Sequence, residues 1–286
     1  LVWLGRGRDR SKLDWLIKLL VVALYSSYIF LVGRWDLFSY YLRFILIVLF
    51  FLAAFKSYKK VKALPVYPTK NFQAYLSLGV NFFVLIIFAF FNTSALKGYF
   101  FDGNPIQLSF PLNNGIYYVA RGGNSPVINY HNTNRAQKYA LDIVKLNLTG
   151  TRANGIYPKD LTKYTIFGDT LYSPCDGNIK NLKDGLPDLI PPEMERKNPA
   201  GNHVLIECKS TEVLVAHLLK GSVTVNAGEL VKTGQAIAKI GNSGNTSEPH
   251  LHIHARKSIT NNSILGGEGV PIVFNGRFLV RNSLVY

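Results

Sequence analysis

The stretch "EPHLHIHARK", residues 248–257, sets His250, His252 and His254 at alternate positions in a chain that has six histidines in all. In a β-strand, a period of two sends the three imidazoles to one face, where they can converge on a single point. That geometry suits a metal ion; a solvated strand face carrying histidine is the other reading of the same spacing. Further candidates lie upstream. His131 sits in "NYHNTNRAQ", a loop-like stretch. In "KYALDIV", alternation puts Tyr139, Leu141 and Ile143 on one face and Ala140, Asp142 and Val144 on the other. Asp142 thus points away from the larger apolar side chains, which suits a site as well as it suits plain exposure. His217 ends the apolar run "EVLVAHL", where a core or edge histidine is the competing reading, and His203 reads as structural. Cys175 and Cys208 belong to no C-x-x-C pattern, so histidine and carboxylate must hold any metal. The two cysteines suit either a disulfide in an oxidising compartment or two separate buried thiols.

The elements that must position these side chains are short strands. From residue 101 onward, runs at 115–123, 138–147, 170–182, 203–210, 212–218, 236–244 and 249–256 alternate with Gly, Asn and Pro punctuation, which predicts a mostly antiparallel β domain. The prolines of "KDGLPDLIPPEMERKNPAGN" (183–202) exclude a central strand there and mark a surface excursion.

Residues 1–100 read differently. Apolar runs at 15–35, 37–55 and 74–91 predict three transmembrane helices, with Trp15 and Trp35 as interfacial anchors of the first and Lys18 free to snorkel. The chain therefore divides into a membrane anchor, 1–100, and an outer domain, 101–286. The net charge of +15 follows this division: residues 1–100 hold 13 Lys or Arg against 3 Asp or Glu, and residues 101–286 hold 19 against 14. A basic membrane border accounts for the excess without nucleic acid, and the mildly basic second half favours an anionic substrate. Arg6, Arg8, Arg10 and Lys12, with the five lysines of 56–70, lie on one side of the predicted spans, against Arg34, Arg43 and Lys97 on the other. This asymmetry predicts a multi-pass protein of the cell membrane with a cytoplasmic N-terminus and an extracytoplasmic outer domain. No cleavable signal is evident, and a chain that begins at Leu1 with Met194 as its only methionine leaves its true start open.

The run "GNHVLIECKSTEVLVAHLLKGSVTVNAGELVKTGQAIAKIGNSGNTSEPHLHIHA" resembles the second half of lysostaphin-type, or LytM-like, zinc metallopeptidases. The motifs that carry the resemblance are His217-Leu218, the Gly-Asn-Ser-Gly turn at 241–244, and Pro-His-Leu-His at 249–252. It spans about residues 115–275 and leaves out the membrane segment. It implies a duplicated hybrid motif of the barrel-sandwich kind, one zinc per chain held by His131, Asp142 and His252, and two catalytic histidines outside the metal shell, His217 and His250. It also implies peptidoglycan peptides as substrate. Many members separate the first His from its Asp by three residues, whereas ten intervene between His131 and Asp142. The matching motif stops at His252, so His254 reads as a supporting or structural residue.

Two His and one Asp leave a zinc position open, the pattern of a catalytic site. Zinc lowers the pKa of water from about 15.7 to about 7 and polarises a scissile carbonyl. With no His-Glu-x-x-His helix to provide a Glu, His217 and His250 are the candidates for proton transfer, in an order the sequence leaves open. The reading is a membrane-anchored zinc endopeptidase of cell-wall peptides, its protein partners and scissile bond unspecified. Two alternatives stand beside it. One is a silent member of the same fold that acts by binding. The other is a lipoyl-like carrier or membrane-fusion adaptor, suggested by "VNAGELVKTGQAIAKIG" (225–241), although such domains have no use for the histidines.

Overall fold

The computed structural model describes residues 1–6, 9–68, 72–257 and 266–286. Arg8 and Lys70, two of the basic residues that set the expected orientation, lie outside the described residues. The fold has two compact units: Leu1–Trp35 with Tyr41–Leu96, and Asp36–Tyr40 with Lys97–Tyr286.

The first unit is helical, with α1 (Val2–Gly5), α2 (Lys12–Val32), α3 (Leu42–Val61) and α4 (Phe72–Lys97). Ser11 caps α2 by accepting the Asp14 amide, and Lys18 pairs with Asp9 and Asp14 at 3.0 Å each. Asn92 of α4 donates to the Leu24 carbonyl of α2 at 2.9 Å, the kind of side-chain bond that joins apolar helices. Among the described residues, α2 and α4 are long and apolar enough to cross a membrane, so two helices meet that condition and not the expected three. The stretch predicted as a span at 37–55 lies mostly within α3. That helix carries Arg43, Lys56, Lys59 and Lys60, and only twelve residues separate Arg43 from Lys56. Twelve residues make about 18 Å of helix, short of a hydrocarbon core of about 30 Å.

The second unit is built on strands. They are β1 (Ile106–Leu108), β2 (Ile116–Arg121), β3 (Leu141–Leu146), β4 (Thr170–Tyr172), β5 (Gly177–Lys183), β6 (Asn202–Cys208) and β7 (Thr211–Leu218). There follow β8 (Leu230–Val231), β9 (Ala236–Lys239), β10 (Leu251–Lys257), β11 (Gly269–Val270), β12 (Ile272–Phe274), β13 (Arg277–Phe278) and β14 (Leu284–Val285). Among the described residues the largest sheet has nine strands in the order β14-β2-β3-β10-β7-β6-β5-β8, with β11 also pairing with β10, and its pairings are antiparallel. A three-stranded sheet, β1-β12-β13, contains a parallel pair, and β4 pairs with β9. The mostly antiparallel expectation is thus met, and the run predicted at 170–182 is two strands, β4 and β5.

One face of the large sheet carries the core. Leu141 and Ile143 of β3, Val213 and Val215 of β7, Val204 and Ile206 of β6, and Leu251 and Ile253 of β10 form one buried cluster. The alternate residues go to the opposite face, where Leu205, Leu214 and Ala216 form a smaller cluster. Cys175 and Cys208 are joined in a disulfide with their Cα atoms 6.0 Å apart.

Candidate metal centre and its histidines

Asp142 and His252 meet because of strand register. On the antiparallel β3–β10 pair they are directly opposite one another, so their side chains leave the same face within contact distance. His252 Nδ1 lies 2.9 Å from Asp142 Oδ1. The period of β10 sends His254 to that face as well, where its Nδ1 meets His252 Nε2 at 3.0 Å. His250, just before β10, continues the row and reaches Asp142 Oδ1 at 3.4 Å.

His131 arrives by a turn. The 3-10 turn Tyr130–Thr133 is capped by Asn129, whose side chain accepts from the His131 amide. Asn129 is fully buried, and its amide donates to the carbonyls of Gly123 at 2.9 Å and Ala140 at 3.1 Å, tying the end of β2 to the start of β3. The ten residues between His131 and Asp142 fold back in hydrogen-bonded turns, which return the ring onto the carboxylate. His131 Nδ1 lies 3.0 Å from Gln137 Oε1, an acceptor, and Nε2 lies 3.0 Å from both Asp142 oxygens, so Nε2 is the nitrogen turned to the centre.

His217 is placed by a break in alternation. Val213 and Val215 face the core, and the period would send residue 217 there too. Instead the β6–β7 register shifts, with Asn202 opposite Leu218 and His203 opposite Ala216, leaving His217 as the extra residue of a bulge at φ 64°. Leu218 then takes the core position, and the His217 ring lies 4.8 Å from that of His250 and 5.8 Å from that of His252. Left-handed backbone at a non-glycine residue is costly and is held by its surroundings. Those surroundings include the 241–244 turn: Ser243 O accepts from His217 Nδ1 at 2.9 Å, and Ser243 Oγ bonds the Asn202 amide and the Leu218 carbonyl. A Cβ on Gly201, at φ 60°, would lie 2.2 Å from Ser243 O, so glycine is needed for this close approach. The 184–201 excursion braces the same turn, since Asp188 accepts the Asn242 amide and Pro199 O accepts the Asn245 amide.

All five residues expected from the sequence therefore come together on one face. Two sets of ligand atoms lie within 4.8 Å of one another, His131-Asp142-His252 and His217-His250-His252, sharing His252. The first contains a carboxylate to balance a cation, and two imidazole nitrogens with one carboxylate oxygen are a donor set that zinc accepts. A pocket beside it is lined by Tyr130, Gln137, Pro199, Ala200, Leu214 and Asn245. His203 points elsewhere, with Nδ1 donating to the Gly201 carbonyl at 2.8 Å, in keeping with a structural role.

Burial alone would raise the Asp142 carboxyl, but the adjacent His131 and His250 outweigh it and hold the group well below the usual carboxylate range. Burial pushes His217 well below the usual histidine value, helped by the neighbouring His250 and His252, and takes His252 down to about 4. His254 is likewise held low by burial and by His252 and Arg256. His250 moves the other way: burial opposes its charge, yet the Asp142 carboxylate and the Glu248 carbonyl raise it. Asn129, Gln137 and Glu248 stand out in no sequence pattern of the site, whereas Ser243 lies within the Gly-Asn-Ser-Gly turn. Of the first three only Asn129 has a local signal, as an Asn two residues before a polar turn residue.

Residues 167–265 match the model of peptidase family M23, a span that takes in His217, His250 and His252 and begins after His131 and Asp142. No curated protein matches the chain. Among solved structures it is similar to a zinc-containing peptidase from Vibrio cholerae (22% identity over 56% of this chain and 36% of that one, TM-score 0.28). It is also similar to the M23 metalloprotease pseudoalterin from the deep sea (16%, 63% and 98%, TM-score 0.36) and to the catalytic domain of lysostaphin from Staphylococcus simulans (22%, 39% and 81%, TM-score 0.21). The chain thus spans about a third of the length of the Vibrio cholerae peptidase. The His-Leu pair, the Gly-Asn-Ser-Gly turn and the Pro-His-Leu-His strand all lie inside this matched span, so it is over residues 167–265 that the chain is similar to peptidase family M23.

Proposed function

We propose that the chain is a zinc endopeptidase that cuts cell-wall peptides, anchored in a membrane by its helical unit with the peptidase domain outside the cytoplasm. The observation that carries this reading is the convergence of His131 Nε2, Asp142 and His252 Nδ1, with His217 and His250 alongside. His131, Asp142 and His252 would hold a zinc ion, which would supply Lewis-acid polarisation and make hydroxide available at neutral pH.

The two remaining histidines are the candidates for proton transfer, and each turns Nδ1 to a backbone carbonyl. His217 Nδ1 faces a carbonyl, which can only accept, so the neutral ring offers its lone pair at Nε2 and takes a proton there. His250 Nδ1 also faces a carbonyl, Glu248 O at 2.9 Å, so when the ring is protonated it donates from Nε2 to a developing oxyanion or leaving amine. An immobile polymer as substrate suits an enzyme held beside it by its own anchor.

The test is digestion of purified peptidoglycan by the full chain in detergent, with product masses naming the bond. His217→Ala and His250→Ala should keep zinc near one equivalent while turnover falls about 100- to 10,000-fold. Zinc lost together with activity in His250→Ala would favour the His217-His250-His252 set as ligands. One zinc without turnover in the unaltered chain would favour the silent binding member. Reporters fused after Tyr286 and near Lys62 should be active on opposite sides of the membrane. The same side for both would give an even number of crossings after residue 62 and rule out α4 as a span between them.

A further inference from the structure

The peptidase unit includes five residues that the chain supplies from between two helices, Asp36–Tyr40. Asp36 is fully buried there. Its carbonyl accepts the Arg152 amide at 3.0 Å, and its carboxylate lies 3.8 Å from Arg152 Nε. The next residues hold the same loop: Ser39 Oγ donates to Thr149 O at 2.8 Å, and the Tyr40 amide donates to Gly150 O at 2.8 Å. The Tyr40 ring sits edge-on to Tyr118 with centroids 6.0 Å apart. Arg152 itself is 1% exposed, and its Nε donates to Glu248 Oε2 at 2.5 Å.

Glu248 is where this chain of contacts reaches the site. Its carbonyl accepts from His250 Nδ1 at 2.9 Å and from Thr246 Oγ1 at 2.7 Å. Between Glu248 and His250 stands Pro249, whose fixed φ transmits any shift of the Glu248 backbone to the histidine. Asp36, Arg152 and Glu248 are two carboxylates around one guanidinium, all buried, where each charge depends on its partners.

We propose that Asp36 and Arg152 are positioning residues for His250, acting through Glu248, so that the segment between α2 and α3 completes the peptidase site. The proposal rests on the reading of His250 as a residue of the peptidase site, held in place through its bond to the Glu248 carbonyl. It makes the helical part of the chain more than an anchor, because the residues that set Arg152 against Glu248 are covalently continuous with α2 and α3.

The experiment uses the full chain in detergent, with Asp36→Asn, which keeps shape and removes charge, and Arg152→Lys, which keeps charge and removes the fork. Zinc content, KM, kcat and amide hydrogen exchange over residues 246–252 are measured in the same preparations. Expected in Asp36→Asn are zinc near one equivalent, KM unchanged within about twofold, kcat lower by about 10- to 100-fold, and faster exchange confined to 246–252. Arg152→Lys should recover part of kcat relative to Arg152→Gln. Unchanged kcat and unchanged exchange at 246–252 in Asp36→Asn would overturn the proposal, as would unfolding of both Asp36→Asn and Arg152→Lys, which would make the three charges a matter of stability alone. Should the unaltered chain hydrolyse nothing, the peptidase reading fails by itself, and the exchange pattern still decides whether Asp36 controls the His250 segment.

Discussion

Asp142 and His252 are held by a ladder, whereas His131 and His217 are held by side chains and a bulge. The first pair face each other across β3 and β10, so the backbone hydrogen bonds that make the sheet also set their separation. The second pair sit where the regular pattern stops: His131 on a 3-10 turn capped by Asn129, His217 at left-handed φ against Ser243. The difference teaches where precision comes from. A strand pair needs no dedicated support for its side chains, while a turn or a bulge needs buried polar partners, here Asn129, Gln137 and Ser243.

The largest effect should come from removing the ladder-borne donors. Asp142→Ala and His252→Ala should lose zinc to a degree beyond the loss for any supporting residue, because each removes one of the three proposed ligands. Metal analysis after dialysis checks this, and full occupancy in either variant would break the comparison at its stronger half. His131→Ala belongs in the same series, and zinc retained there would hand the third position to another group.

A smaller effect is expected from the supports of the turn. Gln137→Leu removes the acceptor that faces His131 Nδ1 and should weaken zinc binding about 10- to 100-fold, with the fold intact by circular dichroism. Competition with a zinc-binding dye measures it. An unchanged affinity would mean that the turn holds His131 without its partner.

The smallest effect is on stability against pH in the metal-free protein. His203, His217, His252 and His254 have lowered pKa values, so their contribution is fully present above about 6.5 and is lost as pH falls from there through their folded values. His250, with its raised value, contributes the opposite way, being fully effective below about 6.5 and lost as pH rises through its folded value. Four groups against one predict a denaturant midpoint that falls between pH 7 and pH 5. A midpoint that rises over that interval would show that His250 and its Asp142 contact dominate the cluster.

Much of the site was legible because its chemistry is written in local patterns. Alternation in "KYALDIV" placed Asp142 opposite the core face, and alternation in "PHLHIHAR" placed His250, His252 and His254 together, as the sheet has them. The apolar helices of the first unit were legible in outline and miscounted as spans: apolar length alone suggested a span at 37–55, while Arg43 and Lys56 shorten the uncharged part of α3 below a bilayer. His217 was ambiguous because a bulge has no signature in "EVLVAHL"; it arises from pairing with β6, which lies earlier in the chain.

By itself the sequence determined the identities of the donors, the strand faces on which Asp142 and His252 stand, and the family motifs from His217 to His252, since each depends on residue type and a period of two. Tertiary structure alone decided which nitrogen of each histidine faces the centre, that His217 turns out of the core, and that Arg152 meets both Asp36 and Glu248. Those outcomes depend on partners far apart in the chain, 96 residues for Arg152 and Glu248 and more for Asp36 and Arg152, and contacts at such separation are set by how the unit folds rather than by any neighbouring residue.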